Sequence, residues 1–294
     1  MTLSGVKDRV RRSAHAREVL RRTGRLRWRA KYLQARSHDA VGRERPWRWI
    51  RFVLFDPEFD NFTYELANED ELVEFLAGTL GAEQSRVEQY LAETRTDPGL
   101  TTELWRRLRW RLDYKRRPPL GRRTTWYLLA RILKPELVVE TGVQDGLGSL
   151  AVLRALARNA EEGRPGRLIS VDILPTAGWL VPDSERPAWQ LLIGSSDQVL
   201  PSVLGPERLG LFLQDSGADL ELARRELELV RAHAIDRAVF VSQTQRPALE
   251  ALCHEHDMSY SEFWHRPRDH VFSGTITGFG RGGHVCGSQR AQTE

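Results

Sequence analysis

The chain has 294 residues, and its 40% hydrophobic content with nine tryptophans excludes a wholly disordered protein. Its two cysteines, Cys253 and Cys286, are too few for a disulfide scaffold and form no closely spaced pair of metal ligands. The first residues lack an apolar signal segment, and no run of about 18 apolar residues occurs, so we expect a cytoplasmic protein without a membrane span.

The net charge of +4 is unevenly distributed along the chain. Residues 1–51 hold 16 Lys/Arg and four Asp/Glu, a balance of +12, whereas the remaining residues hold 28 and 36, a balance of −8. We therefore predict that residues 1–45 form a basic arm. Such arms bind phosphates or lipid headgroups in some proteins. Charge runs are more often solvated surfaces, and no nucleic-acid-binding motif accompanies this one, so we expect no nucleic-acid partner.

Residues 46–120 are predicted to form a helical cap. The apolar run Trp47–Phe55 at its start is interpreted as a strand or extended segment. Asn68 is a good N-cap for the helix that follows, and the acidic residues after it suit the positive end of a helix dipole. The helices predicted in this part lie near 69–80, 83–95 and 100–115.

Residues 121–282 are predicted to alternate strands and helices, and 283–294 to form a flexible tail. The short apolar run Leu137–Thr141 leads into the glycine-rich turn Gly142–Gly148 and then into a helix that ends near Gly163. A strand, a glycine turn and a helix in this order are typical of a nucleotide-binding βα unit. The glycines let the backbone approach a ligand closely, and the helix presents its N-terminus to it.

Six further strands complete the predicted sheet. Alternating strands and helices predict parallel strands joined by right-handed crossovers. The last two strands are joined by a short turn at 265–270, so the final strand must run antiparallel to its partner. We therefore predict an α/β fold with a seven-stranded, doubly wound, mostly parallel sheet, a C-terminal antiparallel hairpin strand and an N-terminal helical cap. These six strands lie near 167–173, 189–193, 209–215, 238–242, 259–264 and 271–279, with helices near 219–233 and 247–256.

This ordered set resembles a class I S-adenosylmethionine-dependent methyltransferase over about residues 121–282. The resemblance rests on the E-x-G-x-x-x-G pattern from Glu140 to Gly146, the acid Asp172 at the end of strand two, and the terminal hairpin. The turn E-T-G-V-Q-D-G-L-G-S, the later A-G-W-L-V-P and the D-S pair after strand four are similar to bacterial small-molecule O-methyltransferases, including sugar- and antibiotic-tailoring enzymes. The resemblance implies S-adenosylmethionine as the cofactor and a small-molecule acceptor.

The resemblance also implies a set of cofactor contacts. Glu140 and the backbone of Gly142 would lie near the methionine part of the cofactor, and Gly146 would permit close approach. Asp172 would accept hydrogen bonds from the ribose hydroxyls. An ordinary acid at a strand end is the alternative interpretation of Asp172.

Ser196 or Asp197, directly after strand three, would lie beside the adenine. For Asp197 the alternative is a purely local role as the N-cap of the next helix.

The chain departs from the resembling family in two loops. Relatives often carry H-D-S-x-H after strand four and an Asp-Asn pair after strand five, whereas this chain has Gln214–Ala218 and Ser242–Gln243. Mg²⁺ requires several oxygen ligands in octahedral geometry, and only Asp215 clearly remains. We therefore expect no divalent metal and no histidine base in the loop after strand four.

Methyl transfer to a hydroxyl requires an aligned acceptor and removal of a proton. Parallel strands place ligands at their carboxyl ends, and the terminal hairpin turns at that same edge. His270 is therefore the candidate base, and Asp215 is an alternative base or an orienting group. A surface turn residue held by Asp269 is the competing interpretation of His270.

Four functional hypotheses follow. The first is a methyltransferase acting on a hydroxyl of a sugar or other small secondary metabolite. The alternative is a catalytically degenerate binding protein on the same fold, because the family histidines are missing. A nicotinamide-dependent oxidoreductase fits less well because the pattern is not G-x-G-x-x-G. Nucleic-acid methylation rests on the basic arm alone, and a homo-oligomer stays open.

Overall fold

The computed structural model describes residues 29, 33, 46–205, 208–217, 219–268 and 274–282. Almost all of the predicted arm, the candidate base His270 and the predicted tail lie outside these residues. Contacts divide the chain into two compact units. The described residues of the first unit are 29, 33, 46–63 and 111–115, and those of the second fall within 64–110, 116–268 and 274–282.

The described residues 46–63 of the first unit form helices α1 (Pro46–Phe55) and α2 (Glu58–Asn61). The prediction of a strand or extended segment over 47–55 is therefore wrong. Trp49, Phe52 and Val53 are spaced so that a helix places them on one face, and there they pack with Phe59. The aromatic and β-branched composition of the run favours a strand locally, but this shared apolar contact stabilises the helix.

The second unit begins with helices that surround the later sheet. Helices α3 and α4 confirm the first two predicted cap helices. The third, predicted over 100–115, is wrong beyond Leu108, where α5 ends. Helix α6 was not predicted separately, because buried arginines and threonines interrupt its apolar residues. These elements are α3 (Glu69–Leu80), α4 (Gln84–Thr96), a π-helical turn (Gly99–Glu103), α5 (Leu104–Leu108) and α6 (Arg123–Leu133).

A seven-stranded sheet forms the centre of the second unit. The strand order is β3-β2-β1-β4-β5-β7-β6, with β7 antiparallel to both of its neighbours and the other pairs parallel. This arrangement confirms the predicted fold class. The strands are β1 (Leu137–Thr141), β2 (Arg167–Asp172), β3 (Trp189–Ile193), β4 (Leu209–Gln214), β5 (Ala234–Ser242), β6 (Ser259–His265) and β7 (Thr275–Arg281).

Helices follow the parallel strands and bury their apolar faces against the sheet. The core on one side joins Val139, Ile169 and Phe212 of the strands to Leu227 and Leu249 of the helices. Burial of this kind contributes roughly 25 cal/mol per Å² of apolar surface. The helices are α7 (Leu147–Glu161), α8 (Ser196–Val199), α9 (Leu220–Arg231) and α10 (Arg246–Glu255), with 3₁₀ turns at Asp183–Ala188 and Leu200–Ser202.

The topology brings the strand ends of interest to one edge. Because β5 and β6 are both antiparallel to β7, they run in the same direction. The segment that leaves β6 at His265 therefore lies at the same edge as the ends of β1, β2 and β4. No helix in the described part of the chain is long and apolar enough to cross a membrane.

Candidate active site

The turn after β1 needs glycine at two positions. Gly142 has φ +87°, and a Cβ atom on it would lie 2.5 Å from the backbone oxygen of Asp215. Gly146 has φ +90°, and its Cβ would lie 2.8 Å from the Cα of Gly178. Between them, Gln144 holds φ +53° as an exposed non-glycine residue. The turn thus combines close backbone packing with a strained position, a combination that is frequent at functional sites.

Asp172 ends β2 and connects that strand to the glycine turn. Its Oδ2 accepts hydrogen bonds of 2.8 Å from the backbone N–H groups of Val143 and Gln144. Its Oδ1 accepts one of 2.7 Å from Leu174. Asp172 is therefore held rigidly against the turn, and its predicted contact with ribose stays a prediction.

Exposed apolar side chains flank Asp172. Ile173 is 72% exposed, and Ile193, at the end of the neighbouring strand, is 47% exposed. Asp172 pairs with Ile193 in the strand register, so the two strand ends lie side by side. Sequence analysis missed this apolar surface. The sequence indicated it by the isoleucine that ends each of the two apolar runs, Ile173 and Ile193.

The two candidate residues after β3 face different surroundings. Ser196 is buried, and its hydroxyl donates to the carboxylate of Glu226. Asp197 is half-buried, accepts a 2.5 Å hydrogen bond from Ser195 and lies 3.8 Å from the guanidinium of Arg225. The N-cap of α8 is Ser195, so the interpretation of Asp197 as that N-cap is wrong. Adenine contact by either residue stays a prediction.

Glu140 lies beneath the turn, fully buried. Its Oε2 accepts hydrogen bonds from Ser149 (2.6 Å) and Ser170 (2.7 Å), whereas its Oε1 has no partner among the described residues. Burial raises the pKa of Glu140 to about 7, and the two hydroxyl bonds oppose part of that shift. A Cβ on Gly148 would lie 2.0 Å from the ring of Trp126, so that glycine is needed to pack α7 against α6.

Asp215 follows β4 and forms a salt bridge with Arg122. The Nη2 of Arg122 donates to Oδ2 of Asp215 at 2.5 Å, and both side chains are nearly buried. Burial raises the pKa of Tyr64, while its 2.9 Å bond with Thr275 and the charge of Arg122 lower it. Asp215, Arg122 and Tyr64 therefore lie close together. Sequence analysis missed Arg122, which is 93 positions from Asp215.

Glu226 is a buried carboxylate that joins the strand ends. It accepts hydrogen bonds from Gln214 (2.8 Å), Thr141 (3.3 Å), Ser216 (3.4 Å) and Ser196. Burial raises its pKa, and these hydrogen bonds oppose the shift. The network links the ends of β1 and β4 to the segment after β3. Its signal in the sequence was a lone glutamate on the apolar face of α9.

Two further histidines lie outside the candidate site. His265 is fully buried, its Nε2 lies 2.7 Å from the hydroxyl of Thr125, and burial lowers its pKa to about 3, so it packs in the interior as a neutral side chain. Glu228, Glu255 and His256 form an exposed group of three ligand atoms within 4.8 Å of one another. That group lies at the ends of α9 and α10, at the edge of the sheet opposite to the strand ends described above.

A cavity of about 840 Å³ opens in the second unit. Its wall includes Gly121 and Thr124, which lie close to Arg122 in the chain. It also includes Tyr64, whose pKa is raised by burial and lowered in part by the charge of Arg122. The cavity therefore adjoins the Arg122–Asp215 salt bridge. The lining residues come from four segments of the chain: 64–69, 94–105, 117–124 and Arg268.

Residues 139–242 match a family model described as a methyltransferase domain. The match begins inside β1 and ends with β5, so it contains the glycine turn, Asp172 and Asp215. The chain contains a methyltransferase domain. This confirms the methyltransferase predicted by resemblance, and the strand order of the methyltransferase domain agrees with the class I fold that the resemblance implied. No curated protein matches the chain.

Solved structures similar to this chain include two bacterial enzymes. The O-methyltransferase TomG from Streptomyces achromogenes, involved in tomaymycin synthesis and solved with SAM, is 16% identical with a TM-score of 0.48, covering 64% of this chain and 91% of that one. The O-methyltransferase from Bacillus cereus, solved with SAH, is 12% identical with a TM-score of 0.45, covering 72% of this chain and 97% of that one. Both similarities are distant.

Proposed function

We propose that this protein is an S-adenosylmethionine-dependent O-methyltransferase whose acceptor is a hydroxyl on a small molecule, either a sugar or another secondary metabolite. One observation carries the proposal. Within the matched methyltransferase domain, the carboxylate of Asp172 is bonded directly to the glycine turn that follows β1. An acid at the end of β2 and a glycine turn at the end of β1 are the two parts of a nucleoside-binding edge.

The residues at this edge fit the cofactor. Oδ2 of Asp172 already accepts two backbone hydrogen bonds, whereas Oδ1 accepts one and keeps a lone pair for a ribose hydroxyl. Ile173 and Ile193 offer exposed apolar surface beside it, which suits the face of an adenine ring, and Asp197 adds a polar group. The backbone of the turn from Gly142 to Gly146 would surround the methionine part, above the buried carboxylate of Glu140.

The cofactor supplies the electrophilic methyl group when bound, and the chain must hold the acceptor and take its proton. Arg122 holds the Asp215 carboxylate at the end of β4, where it positions an acceptor hydroxyl. His270 stays the proposed base, with Asp215 as the alternative. No divalent metal takes part in this proposal.

Turnover tests the enzymatic part of the proposal. Methyl-labelled S-adenosylmethionine is incubated with the protein and a panel of glycosylated and free hydroxylated metabolites. We expect labelled product from at least one acceptor, and a kcat lowered about tenfold or more by Asp215→Asn. The matched control is Asp183→Asn, because Asp183 is an exposed acid whose partner is Arg186. Cofactor binding without turnover on any acceptor would instead favour the degenerate binding protein.

A further inference from the structure

The 840 Å³ cavity beside the Arg122–Asp215 salt bridge has the size and charge of an acceptor site. Building on the proposed function, we propose that this cavity binds the acceptor and that the acceptor is a hydroxylated aromatic carboxylate. The proposal selects one class among the small secondary metabolites. It rests on the cavity's size, its apolar wall and the charges that line it.

The size and the apolar wall favour a ring-bearing molecule. Pockets that bind small ligands mostly measure about 300–1,000 Å³ and are lined mainly by apolar and aromatic groups with a few polar ones. This cavity lies in that range. Its wall includes the apolar residues Leu66, Leu100, Leu104, Trp105, Pro118 and Leu120, interleaved with polar and charged residues.

The charges that line the cavity favour a single negative charge on the ligand. Arg95 already forms a salt bridge with Glu69. Arg117 has no hydrogen-bond or ion-pair partner among the described residues, and Arg268 has only the backbone oxygen of Leu66 at 3.4 Å. Glu65 is the one lining acid in the described structure without a cationic partner. Among the described lining residues, two unpaired arginines and one unpaired acid leave one positive charge, which a carboxylate matches better than a dianionic phosphate.

The backbone at Arg268 is fixed to the neighbouring segment before any ligand binds. Its backbone N–H donates to the backbone oxygen of Glu65 at 2.7 Å, and Leu66 and Pro267 form an isolated antiparallel bridge. The amide of Asn68 adds a 2.9 Å bond to the backbone oxygen of Trp264. The segment that carries Arg268 is thus fixed to the cavity wall. A guanidinium carried on a fixed backbone can form a bidentate bond with a carboxylate without reordering the segment.

The cavity wall also includes two residues that are close in the chain to Arg122. Gly121 and Thr124 line the cavity on either side of Arg122, whose guanidinium holds Asp215. An acceptor with its carboxylate on Arg117 and Arg268 therefore shares its cavity with the residues next to this salt bridge. Its hydroxyl is the group left to receive the methyl.

Calorimetry on the full chain, without cofactor, tests the proposal with three named acids. These are 4-hydroxybenzoate, 3,4-dihydroxybenzoate and 4-hydroxycinnamate, each compared with its own neutral amide. We expect at least one acid to bind, with an affinity about tenfold or more above that of its amide. Arg117→Gln combined with Arg268→Gln should remove that difference. Arg186→Gln is the control, since Arg186 is an exposed arginine that does not line the cavity.

The outcomes separate this inference from the proposed function. Equal affinity for acid and amide, no binding of any acid, or unchanged affinity in the folded double variant would overturn the acceptor assignment. A parallel titration with S-adenosylmethionine covers the proposed function. Cofactor binding without acid binding would defeat the inference alone, whereas acid binding without cofactor binding would support the cavity assignment and defeat the methyltransferase proposal.

Discussion

Two acids at neighbouring strand ends illustrate how the local environment assigns different tasks to similar side chains. Asp172 accepts three backbone hydrogen bonds at the end of β2, so it fixes the glycine turn and keeps one lone pair, on Oδ1, for a ligand. Glu140 is buried beneath that turn with two serine hydroxyls, and burial raises its pKa to about 7. Its protonation state therefore changes near neutral pH.

Glu140→Gln should make stability less sensitive to pH. The folded-state pKa of Glu140 is raised above its ordinary value of 4.5, so the folded protein holds a proton that the unfolded chain loses first. Its contribution is fully present below pH 4.5 and is lost as the pH rises through 7, a change of about 3 kcal/mol. Urea unfolding of both proteins between pH 5 and 8 measures the effect. A difference in unfolding free energy that stays constant across this range would contradict the assignment.

Gly142→Ala should destabilise the protein by about 2–4 kcal/mol. The added Cβ would meet the backbone oxygen of Asp215 at 2.5 Å, and φ +87° is strained for alanine. Gly217→Ala is the matched control, because a Cβ there meets no atom within 4 Å in the described structure. Thermal and chemical unfolding give the comparison. Equal stability of the two variants would show that the turn is not packed as described.

Residues close in the chain could be predicted, whereas partners distant in the chain could not. The glycine turn and Asp172 follow directly from strand endings that are visible as short apolar runs. Arg122 meets Asp215 only because the sheet brings together residues 93 positions apart. Glu226 is similar, since four donors from separate segments meet it only in the folded protein. Spacing along one chain carries no information about such contacts.

At the scale of elements, α9 contributes a buried carboxylate to an otherwise apolar face. Ala223, Leu227 and Val230 on that face pack against the sheet, and Glu226 lies among them. The donors that it accepts from are buried at the ends of neighbouring strands. Helix α9 therefore fixes the relative positions of the loops that would hold the cofactor and the acceptor.

Substitutions at Glu226 should separate hydrogen bonding from packing. Glu226→Leu leaves buried hydroxyl and amide donors without an acceptor and should cost about 3 kcal/mol or more. Glu226→Gln retains one acceptor oxygen and should cost only about 1 kcal/mol. Glu221→Gln, an exposed glutamate on the same helix, should be neutral. The free energy of unfolding in denaturant ranks the three, and a leucine variant as stable as the glutamine variant would exclude the network.

Elements whose residue composition and apolar periodicity indicate the same structure could be predicted. Elements in which the two disagree could not. The seven strands are apolar runs bounded by turns, and each appears within a few residues of its predicted place. Helix α1 resembles a strand in composition, and only the contact of Trp49 and Phe52 with Phe59 makes it a helix. Helix α6 buries Arg131, Thr124 and Thr125, which interrupt its apolar residues, and it was not predicted as a separate helix.

At the scale of the whole molecule, the buried side chain of Arg131 joins helices α4 and α6 to the end of α7 within the second unit. Arg131 of α6 is buried and contacts Glu93 of α4 at 2.8 Å and Glu162, after α7, at 2.5 Å. Its guanidinium also lies 4.3 Å from the ring centroid of Tyr90. The methyltransferase domain and residues 64–110 of the predicted cap are therefore parts of one compact unit.

Arg131→Ala should lower the free energy of unfolding by about 2–3 kcal/mol, because it removes charge-assisted hydrogen bonds to Glu93, Asn159 and Glu162 from a buried side chain. Arg224→Ala is the control, since Arg224 forms an exposed pair with Glu255 and should change stability by about 0.5 kcal/mol or less. Calorimetric unfolding of both variants measures the difference. Similar losses in the two would show that the buried pair does not hold the unit together.

The central claim is that the edge formed by Asp172 and the glycine turn binds S-adenosylmethionine. Calorimetric titration of the full chain with this cofactor tests it most directly, with Asp172→Asn as the variant and Asp183→Asn, an exposed acid, as the control. We predict micromolar binding by the wild type and the control, and binding weakened about tenfold or more in the folded Asp172→Asn variant. No binding by the folded wild type, or equal binding by the Asp172 variant, would contradict the claim.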